Sequence, residues 1–311
     1  MMAAMRDVFW DRIYKIASEN KDIIVLAADF TAPSLDKFRI KLPNQFVFTG
    51  ISEQNTILTA VGMALRGKKV FCYAIAPFLT MRCYEQIRLY LAGANLPITL
   101  VGVGAGMAYE DSGYTHQAYE DIALMRILPN MSVYIPSDNV MTEYIADLVV
   151  GSASPNYLRL DRYGDNAEDI KHDAESIKTG FNIVKPIQKV NIFACGNMVR
   201  NALEVWEVLN RKNIAIGIVD VCRIPFDSQF FGSTFRDTEK IISLEEHTLP
   251  GGLGSYILET VSDLDMHIKV VRKGLNLRNG YYEKFGGRAV MHKDYGIDVE
   301  SIIKVVELRE K

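Results

Sequence analysis

Short apolar runs that alternate with segments of helical periodicity are the feature that most constrains the fold. Residues 23–28 are apolar without interruption, as expected for a strand that is covered on both faces of a sheet. Residues 54–66 follow with apolar side chains at helical spacing and end at Gly67, a residue suited to a helix C-terminus. The alternation continues to about residue 160 and resumes near residue 190. It predicts α/β structure with parallel sheets.

A polar segment divides this alternation into two parts. Residues 161–176 are rich in Asp, Glu, Lys and Asn and lack a periodic apolar face, which is typical of an interdomain linker. The chain has 311 residues and is therefore longer than one average domain. We predict two parallel-sheet α/β domains, at residues 1–164 and 187–311, joined by a linker at 165–186.

Charge and cysteine usage argue against several classes of protein. The chain has 35 basic and 38 acidic residues, whereas a nucleic-acid-binding protein usually has a basic excess. Its four cysteines form no C-x-x-C pair, so neither a disulfide framework nor a zinc site is indicated, and we expect a cytoplasmic location. We find no apolar run long enough to span a membrane and no signal-peptide pattern at the N-terminus.

A carboxylate at a strand-to-helix turn is the first candidate for chemistry. Glu53 lies in the first turn of a predicted helix, at the kind of junction where open α/β sheets bind ligands. Position alone favours a residue that complements the helix dipole. Residues 78–92 are predicted to form one helix, with Phe78, Met81 and Tyr84 on successive turns. These side chains could pack against a flat ring, although their spacing alone favours a place in the core.

A polar loop at residues 109–117 is the second candidate. It follows a predicted strand and contains Asp111 and His116. A histidine in this position can transfer a proton or bind substrate near neutral pH, although a lone loop histidine is more often a surface or capping residue. The glycine-rich residues 249–255 and the pair Arg159 and Arg162 are weaker candidates for an anion site, because a tight turn and surface charges explain them equally well.

In their order and spacing, these stretches resemble the pyrimidine-binding and C-terminal domains of the transketolase family over nearly the whole chain. The matching elements are G-x-x-E-Q at 50–54, an aromatic-lined helix start at 77–81, T-H-Q at 115–117, a segment similar to L-R-x-x-P-N-M at 125–131, and P-x-D at 136–138. The resemblance implies that the first domain is a thiamine diphosphate-binding pyrimidine domain and the second a smaller transketolase C-terminal domain.

The activity that the resemblance implies is transfer of a two-carbon ketol unit from a ketose phosphate to an aldose phosphate, with thiamine diphosphate as cofactor. Glu53 would be buried and would share a proton with the cofactor's pyrimidine nitrogen N1′. His116 would contact the substrate near its reacting carbons. The other implied cofactor ligands are Phe78, Met81, Tyr84 and Asp29. The other implied substrate ligands are Arg6, Ser34, Asp111 and Arg162.

One element of the family is missing from this sequence. A full transketolase holds the diphosphate and a divalent metal ion through a G-D-G motif and a later Asn, and this chain contains no G-D-G. We therefore expect the C-terminal subunit of a split enzyme and assign no metal ligand to it. A separate N-terminal subunit would carry the motif and the Mg²⁺ or Ca²⁺. The resemblance implies an α2β2 assembly that is active only with both subunits.

Three alternatives remain open. The β subunit of a 2-oxo acid dehydrogenase E1 component has a similar length and the same cofactor glutamate, but the candidate phosphate ligands favour a sugar phosphate. A 1-deoxyxylulose-5-phosphate synthase has a similar T-H-Q loop, but it normally carries its diphosphate-binding half on the same chain. The non-enzyme alternative is a catalytically silent partner in such a complex, against which Glu53 and His116 argue.

Overall fold

The computed structural model describes residues 3–28, 32–164, 170–284 and 286–308. The described residues form two sheets, one of seven strands and one of five, with helices packed on them. All neighbouring strands are parallel except for one pair in each sheet. The prediction of two mostly parallel α/β domains is therefore confirmed.

The first domain is built on six parallel strands. They are β1 (Ile23–Ala27), β2 (Phe46–Phe48), β3 (Lys69–Ile75), β4 (Ile98–Val103), β5 (Ser132–Tyr134) and β6 (Asn156–Leu160). Their spatial order is β5-β6-β4-β3-β1-β2. The helical segments are α1 (Met5–Glu19), α2 (Pro33–Lys41), a 3₁₀ turn (Pro43–Gln45), α3 (Glu53–Leu65), α4 (Ala76–Thr80), α5 (Tyr84–Gln86), a π-helix (Ile87–Ala92), α6 (Asp121–Arg126) and α7 (Asn139–Gly151).

Both faces of this sheet are covered. Along β1, Ile23 and Val25 join a cluster formed by α1, α2 and α7, whereas Ile24 and Leu26 join a cluster that includes α3 and the π-helix. All five residues of β1 are buried, which is why its sequence is apolar without alternation. Since both faces are occupied, the carboxyl ends of the strands are the remaining place for a ligand site.

The second domain has a five-stranded sheet in the order β12-β11-β8-β9-β7. Its strands are β7 (Phe181–Lys185), β8 (Val190–Ala194), β9 (Gly217–Val221), β11 (Lys240–Thr248) and β12 (Lys269–Leu275). Its helical segments are α8 (Ala174–Thr179), α9 (Met198–Arg211), α10 (Ser228–Thr234), α11 (Leu253–Asp263), a 3₁₀ turn (Leu277–Asn279), α12 (Gly287–Tyr295) and α13 (Val299–Glu307). No helix in the described ranges is both long and apolar enough to cross a bilayer.

Two features join the domains. The short strand β10 (Arg223–Ile224) leaves the second domain and pairs antiparallel with β5, as the seventh strand of the first sheet. The guanidinium of Arg288 then bridges Asp161 after β6 (2.6 Å) and Glu246 in β11 (2.7 Å). These contacts hold the second domain beside the strand ends of the first.

Two local predictions differ from the structure. The predicted helix at 78–92 is wrong as a single element, because α4 ends at Thr80 and the chain turns before α5. In this turn the thiol of Cys83 donates to the carbonyl of Phe78 (3.5 Å), and the helix resumes with π geometry. Within the predicted linker, residues 170–186 include α8 and β7, and β7 completes the second sheet by pairing with β9. A helix of six residues and an edge strand are too short to give a clear periodic signal.

Candidate active site

Five parallel strands carry the predicted site residues at their carboxyl ends. In sheet order β6-β4-β3-β1-β2, the segments that follow hold Arg162, His116, Phe78, Ser34 and Glu53. Because these strands run parallel, the segments meet along one edge of the sheet. These five sequence-predicted residues are therefore brought to one side of the first domain.

Glu53 is buried at the start of α3. Its exposed fraction is only 4%, whereas a residue that merely complements a helix dipole can remain in solvent. Gly50 allows the chain to turn before it, with φ at +73°. The Oε2 atom of Glu53 accepts a hydrogen bond from Nη1 of Arg82 at 2.7 Å. Burial confirms the first property expected of this carboxylate, and the partner Arg82 is a residue that sequence reasoning missed.

Phe78 links this carboxylate to the histidine loop. The guanidinium carbon of Arg82 lies 4.5 Å from the centre of the Phe78 ring. The ring of Phe78 also packs edge-on against the ring of His116, with 5.1 Å between the two centroids. The Nδ1 atom of His116 is 2.9 Å from the hydroxyl of Thr115, which leaves Nε2 as the ring nitrogen for a ligand.

Tyr109 continues the row toward two arginines. Its ring lies 6.2 Å from that of His116, and the guanidinium of Arg162 lies 5.0 Å from its centroid. Burial raises the pKa of Tyr109, while the positive charges of Arg162 and Arg6 act in the opposite direction. The Tyr109 hydroxyl is buried and has no hydrogen-bond partner among the described residues.

Asp7 and Asp111 connect the remaining polar residues. Asp7 accepts from the hydroxyl of Ser34 through its backbone carbonyl (3.2 Å) and its Oδ1 (3.3 Å). Its Oδ2 is 3.6 Å from Nε of Arg6. Asp111 is exposed and lies 3.6 Å from Nη1 of Arg162. This end of the row therefore combines two arginines and two hydroxyl groups with two carboxylates that lie 3.6 Å from the arginines. Arginine and hydroxyl groups are the chemistry that binds a phosphate.

The other three predicted cofactor ligands, Asp29, Met81 and Tyr84, are not part of this row of contacts. Asp29 lies outside the described residues. Met81 is half-buried in the turn after α4, and Tyr84 is half-buried against the main core cluster at the start of α5. Because α4 ends at Thr80 and α5 begins at Tyr84, the three residues Phe78, Met81 and Tyr84 do not lie on one continuous helix. Their role as cofactor ligands stays a prediction.

The residues missed from the sequence are Arg82, Tyr109 and Asp7. A basic residue four positions after Phe78 is a weak signal for Arg82, since the prediction of a regular helix gave no reason to direct it toward Glu53. Tyr109 and Asp7 carry no local signal, because their importance depends on what surrounds them in the fold.

The glycine-rich turn and Arg159, two of the weaker anion candidates, have structural roles. In the glycine-rich turn, the backbone N–H groups of Leu253 and Gly254 donate to the buried carboxylate of Glu245 (2.6 and 2.8 Å). Arg159 is fully buried and bonds Asp121 at 2.7 Å and the carbonyls of Ala118 and Glu246 at 3.0 Å each. Their hydrogen-bonding groups are used within the chain.

The fold and this row of residues define a two-domain α/β protein with a ligand site at the strand ends. Two family models match the chain: "Transketolase, pyrimidine binding domain" over residues 1–163, and "Transketolase, C-terminal domain" over residues 180–302. The chain belongs to the transketolase family.

Individual relatives sharpen this assignment. One subunit of the apulose-4-phosphate transketolase of Phocaeicola vulgatus is 31% identical, with 97% of this chain and 96% of the relative covered. The 1-deoxy-D-xylulose-5-phosphate synthase of Clostridium tetani is 29% identical, with 96% of this chain but only 48% of the relative covered. A solved split gene transketolase in an inactive β4 tetramer is 31% identical, with a TM-score of 0.84 and 98% of each chain covered. The similarity to C-terminal subunits of split transketolases is thereby confirmed.

Proposed function

We propose that the chain is the C-terminal, pyrimidine-binding subunit of a thiamine diphosphate-dependent, two-subunit transketolase that transfers a two-carbon ketol unit between phosphorylated sugars. The observation that carries this proposal is the buried carboxylate of Glu53 at a strand-to-helix turn, which is linked through the guanidinium of Arg82 to the face of Phe78. Burying a carboxylate costs folding free energy unless a cationic or proton-donating group is paired with it.

The residues present fit an aminopyrimidine ring. Such a ring needs a carboxylate that can share a proton with a ring nitrogen, and an aromatic face on which to stack. Glu53 and Phe78 supply both, and the planar guanidinium of Arg82 makes the same two kinds of contact, which indicates that a flat donor fits between them. When bound, thiamine diphosphate supplies the carbon nucleophile and electron sink for cleaving a carbon–carbon bond next to a carbonyl.

The chain's own residues orient the substrate and handle protons. Glu53 holds the shared proton at the pyrimidine nitrogen, and burial excludes water that would compete for it. His116, whose ring contacts Phe78, presents Nε2 to a substrate hydroxyl or carbonyl. We assign Met81, Tyr84 and Asp29 to the surroundings of the cofactor by family resemblance, since no contact in the described residues argues for them individually.

A phosphorylated substrate is favoured by the other end of the row. Arg162 lies over the ring of Tyr109, whose pKa also responds to the charge of Arg6. Arg6 and Ser34 both contact Asp7. Arginine binds phosphate through two parallel hydrogen bonds, and a buried neutral hydroxyl can add a third. Asp111, paired with Arg162, would contact a neighbouring hydroxyl. A relative named for apulose-4-phosphate agrees with a phosphorylated substrate.

The outer face of α3 supports a second subunit, in addition to the missing G-D-G motif. Leu58 and Leu65 project into solvent from this helix, and Ile51, just before it, is 71% exposed. Between them, a side-chain carbon at Gly62 would meet no atom within 4 Å, so another surface can approach closely. Apolar patches of this kind mark protein interfaces. We assign this face to the N-terminal subunit in a proposed α2β2 assembly, because Glu53 begins the same helix.

Two alternatives differ in the reaction. A 1-deoxyxylulose-5-phosphate synthase would join a 2-oxo acid to an aldehyde, and the match to such an enzyme covers only half of its length. The E1 β subunit of a 2-oxo acid dehydrogenase would have no need of the arginine-rich end. The non-enzyme alternative, a silent partner chain, gives no reason for a buried Glu53 at the same edge of the sheet as His116 and Phe78.

Reconstitution tests the proposal. The full chain is mixed with its copurifying N-terminal subunit, thiamine diphosphate and Mg²⁺, and ketol transfer is measured with phosphorylated and unphosphorylated ketoses. We expect transfer only when both subunits and the cofactor are present, and with preference for the phosphorylated ketose. Decarboxylation of a 2-oxo acid without ketol transfer would instead support one of the two enzymatic alternatives. Cofactor binding with neither activity would support the silent partner chain.

A further inference from the structure

Arg82 occupies a position that is unusual for a half-exposed arginine. Its side chain is 46% exposed, yet its inner edge donates to a carboxylate that is 5% exposed. At the same time its guanidinium lies over the face of Phe78, with 4.5 Å from the carbon to the ring centre. One flat, delocalised cation thus satisfies the carboxylate and covers the aromatic ring.

These two contacts are the ones that the proposed function assigns to the aminopyrimidine of the cofactor. A guanidinium resembles half of that ring, since both are planar and both present N–H groups in their own plane. Both also gain from lying against an aromatic face. The guanidinium of Arg82 and an aminopyrimidine would need the same space between the carboxylate of Glu53 and the ring of Phe78. Only one of them can therefore make these contacts at a time.

We propose that Arg82 is an internal stand-in for the aminopyrimidine, which holds Glu53 and Phe78 in binding geometry and swings out when the cofactor enters. This inference rests on the proposed function and extends it to a residue outside the resemblance. The exposed half of Arg82 gives it a path into solvent, whereas Glu53 at the start of α3 has none.

The exchange avoids a penalty in either state. Without Arg82, the buried carboxylate would lose its described partner, and an unpaired buried charge is costly. With Arg82 present, the cofactor has to displace an existing ion pair and ring contact before it binds. The chain alone therefore has a weak pyrimidine site, and binding becomes favourable when a second subunit adds contacts to the diphosphate. Arg82 in this way couples cofactor loading to subunit assembly.

Binding of a fragment tests this without any catalytic assay. The probe is the free alcohol of thiamine's aminopyrimidine half, titrated into the isolated full chain and followed by saturation-transfer NMR. We expect Arg82→Met to bind the probe about tenfold more tightly than wild type, as estimated from the loss of an exposed ion pair and a cation–π contact. Guanidinium ion at millimolar concentration should compete with the probe in this variant, because it can reoccupy the same place.

Two further variants serve as a control and as a charge-conserving test. Arg88→Met changes an exposed arginine that is not among the described partners of Glu53, and it should leave probe affinity at the wild-type value. Arg82→Lys keeps the charge but not the planar shape, and it should bind the probe about threefold more tightly than wild type. It serves as the decisive variant if circular dichroism shows that Arg82→Met does not fold.

The possible failures are distinguishable. Probe affinity in the folded Arg82 variants that is equal to or lower than wild type, including no binding in any of them, would overturn the stand-in role. If reconstituted wild-type complex nevertheless binds thiamine diphosphate, the proposed function survives. If Arg82→Met binds the probe tightly and Glu53→Gln added to it changes nothing, the assignment of Glu53 fails instead.

Discussion

At two strand-to-helix connections in this molecule, a buried glutamate and a glycine lie near the start of the helix, with opposite consequences. In the first domain, Glu53 begins α3 and its Oε2 bonds the half-exposed side chain of Arg82. In the second, Glu245 lies in β11, and its two oxygens accept the N–H groups of Leu253 and Gly254 at the start of α11. One carboxylate faces a displaceable partner, and the other is bound to the backbone of its own domain.

The glycines differ in the same sense. Gly50 is needed for its backbone conformation, since its φ is +73° and a side chain there would meet no atom within 4 Å. Gly252 is needed for space, because a side chain there would collide with the carboxylate of Glu245. A buried polar group becomes a candidate ligand atom when its bonding capacity is not used by the fold, and a structural element when it is.

The largest expected effect comes from Glu53→Gln. We expect ketol transfer by the reconstituted complex to fall by about 10²- to 10⁴-fold, as is typical when a group that handles a proton is lost. Folding stability should change by less than about 1 kcal/mol, because the pair with Arg82 is half-exposed. Steady-state kinetics and urea denaturation measure the two quantities. Glu85→Gln, in an exposed position on α5, is the matched control and should retain full activity. A Glu53→Gln enzyme that keeps nearly all of the wild-type activity would refute the catalytic assignment.

The same substitution at Glu245 should have the reverse effect. An amide can offer only one oxygen, so one of the N–H donors of Leu253 and Gly254 would face an NH₂ group. Leaving one buried donor unpaired should lower the free energy of unfolding by about 1–3 kcal/mol at neutral pH. Affinity for thiamine diphosphate should remain that of wild type. The comparison breaks down if Glu245→Gln weakens cofactor binding while stability is unchanged.

The pH dependence of stability separates Glu245 further. Burial raises the pKa of Glu245 from 4.5 to about 7, although its two backbone hydrogen bonds oppose the shift. Between these two values the folded state binds more protons than the unfolded state, so this contribution to stability is complete below pH 4.5 and is lost as the pH rises to about 7. The difference in unfolding free energy between wild type and Glu245→Gln should therefore be larger at about pH 5 than at about pH 8. Urea titrations at both pH values measure it, and a difference that is constant or grows with pH would contradict the assignment.

Sequence reasoning reached the architecture and the placement of most site residues for a shared physical reason. Buried parallel strands require unbroken apolar runs, and parallel strands necessarily gather the following segments at one edge. Hence the sequence pattern was enough to expect the segments after the strands at one side of the sheet, whereas the family resemblance singled out Ser34 and Arg162 within them.

What sequence reasoning missed depends on tertiary contacts. Arg82 lies in the turn that interrupts the helix predicted at 78–92, and this turn includes a contact from Cys83 to the backbone of Phe78. The two residues of β10 are too few for any pattern, although they complete the first sheet. The structural role of Glu245 could not be distinguished from the candidate ligand role of Glu53, because neighbouring residues in the sequence do not determine which atoms a carboxylate bonds.

The smallest expected effect applies the same comparison to uncharged groups. The hydroxyl of Tyr109 is buried without a described partner, whereas that of Tyr157 donates to Asp121 at 2.7 Å. Tyr109→Phe should raise the KM for a phosphorylated ketose by about three- to tenfold, the net value of one ordinary hydrogen bond, with little change in kcat. The KM for an unphosphorylated ketose should not change. Tyr157→Phe should lower stability and leave both KM values unaltered, since its hydroxyl is used inside the fold. Equal effects of Tyr109→Phe on the KM values of both ketoses would contradict the assignment of the phosphate to the arginine end. No effect on either KM would mean that the unpartnered hydroxyl of Tyr109 does not bind a ligand.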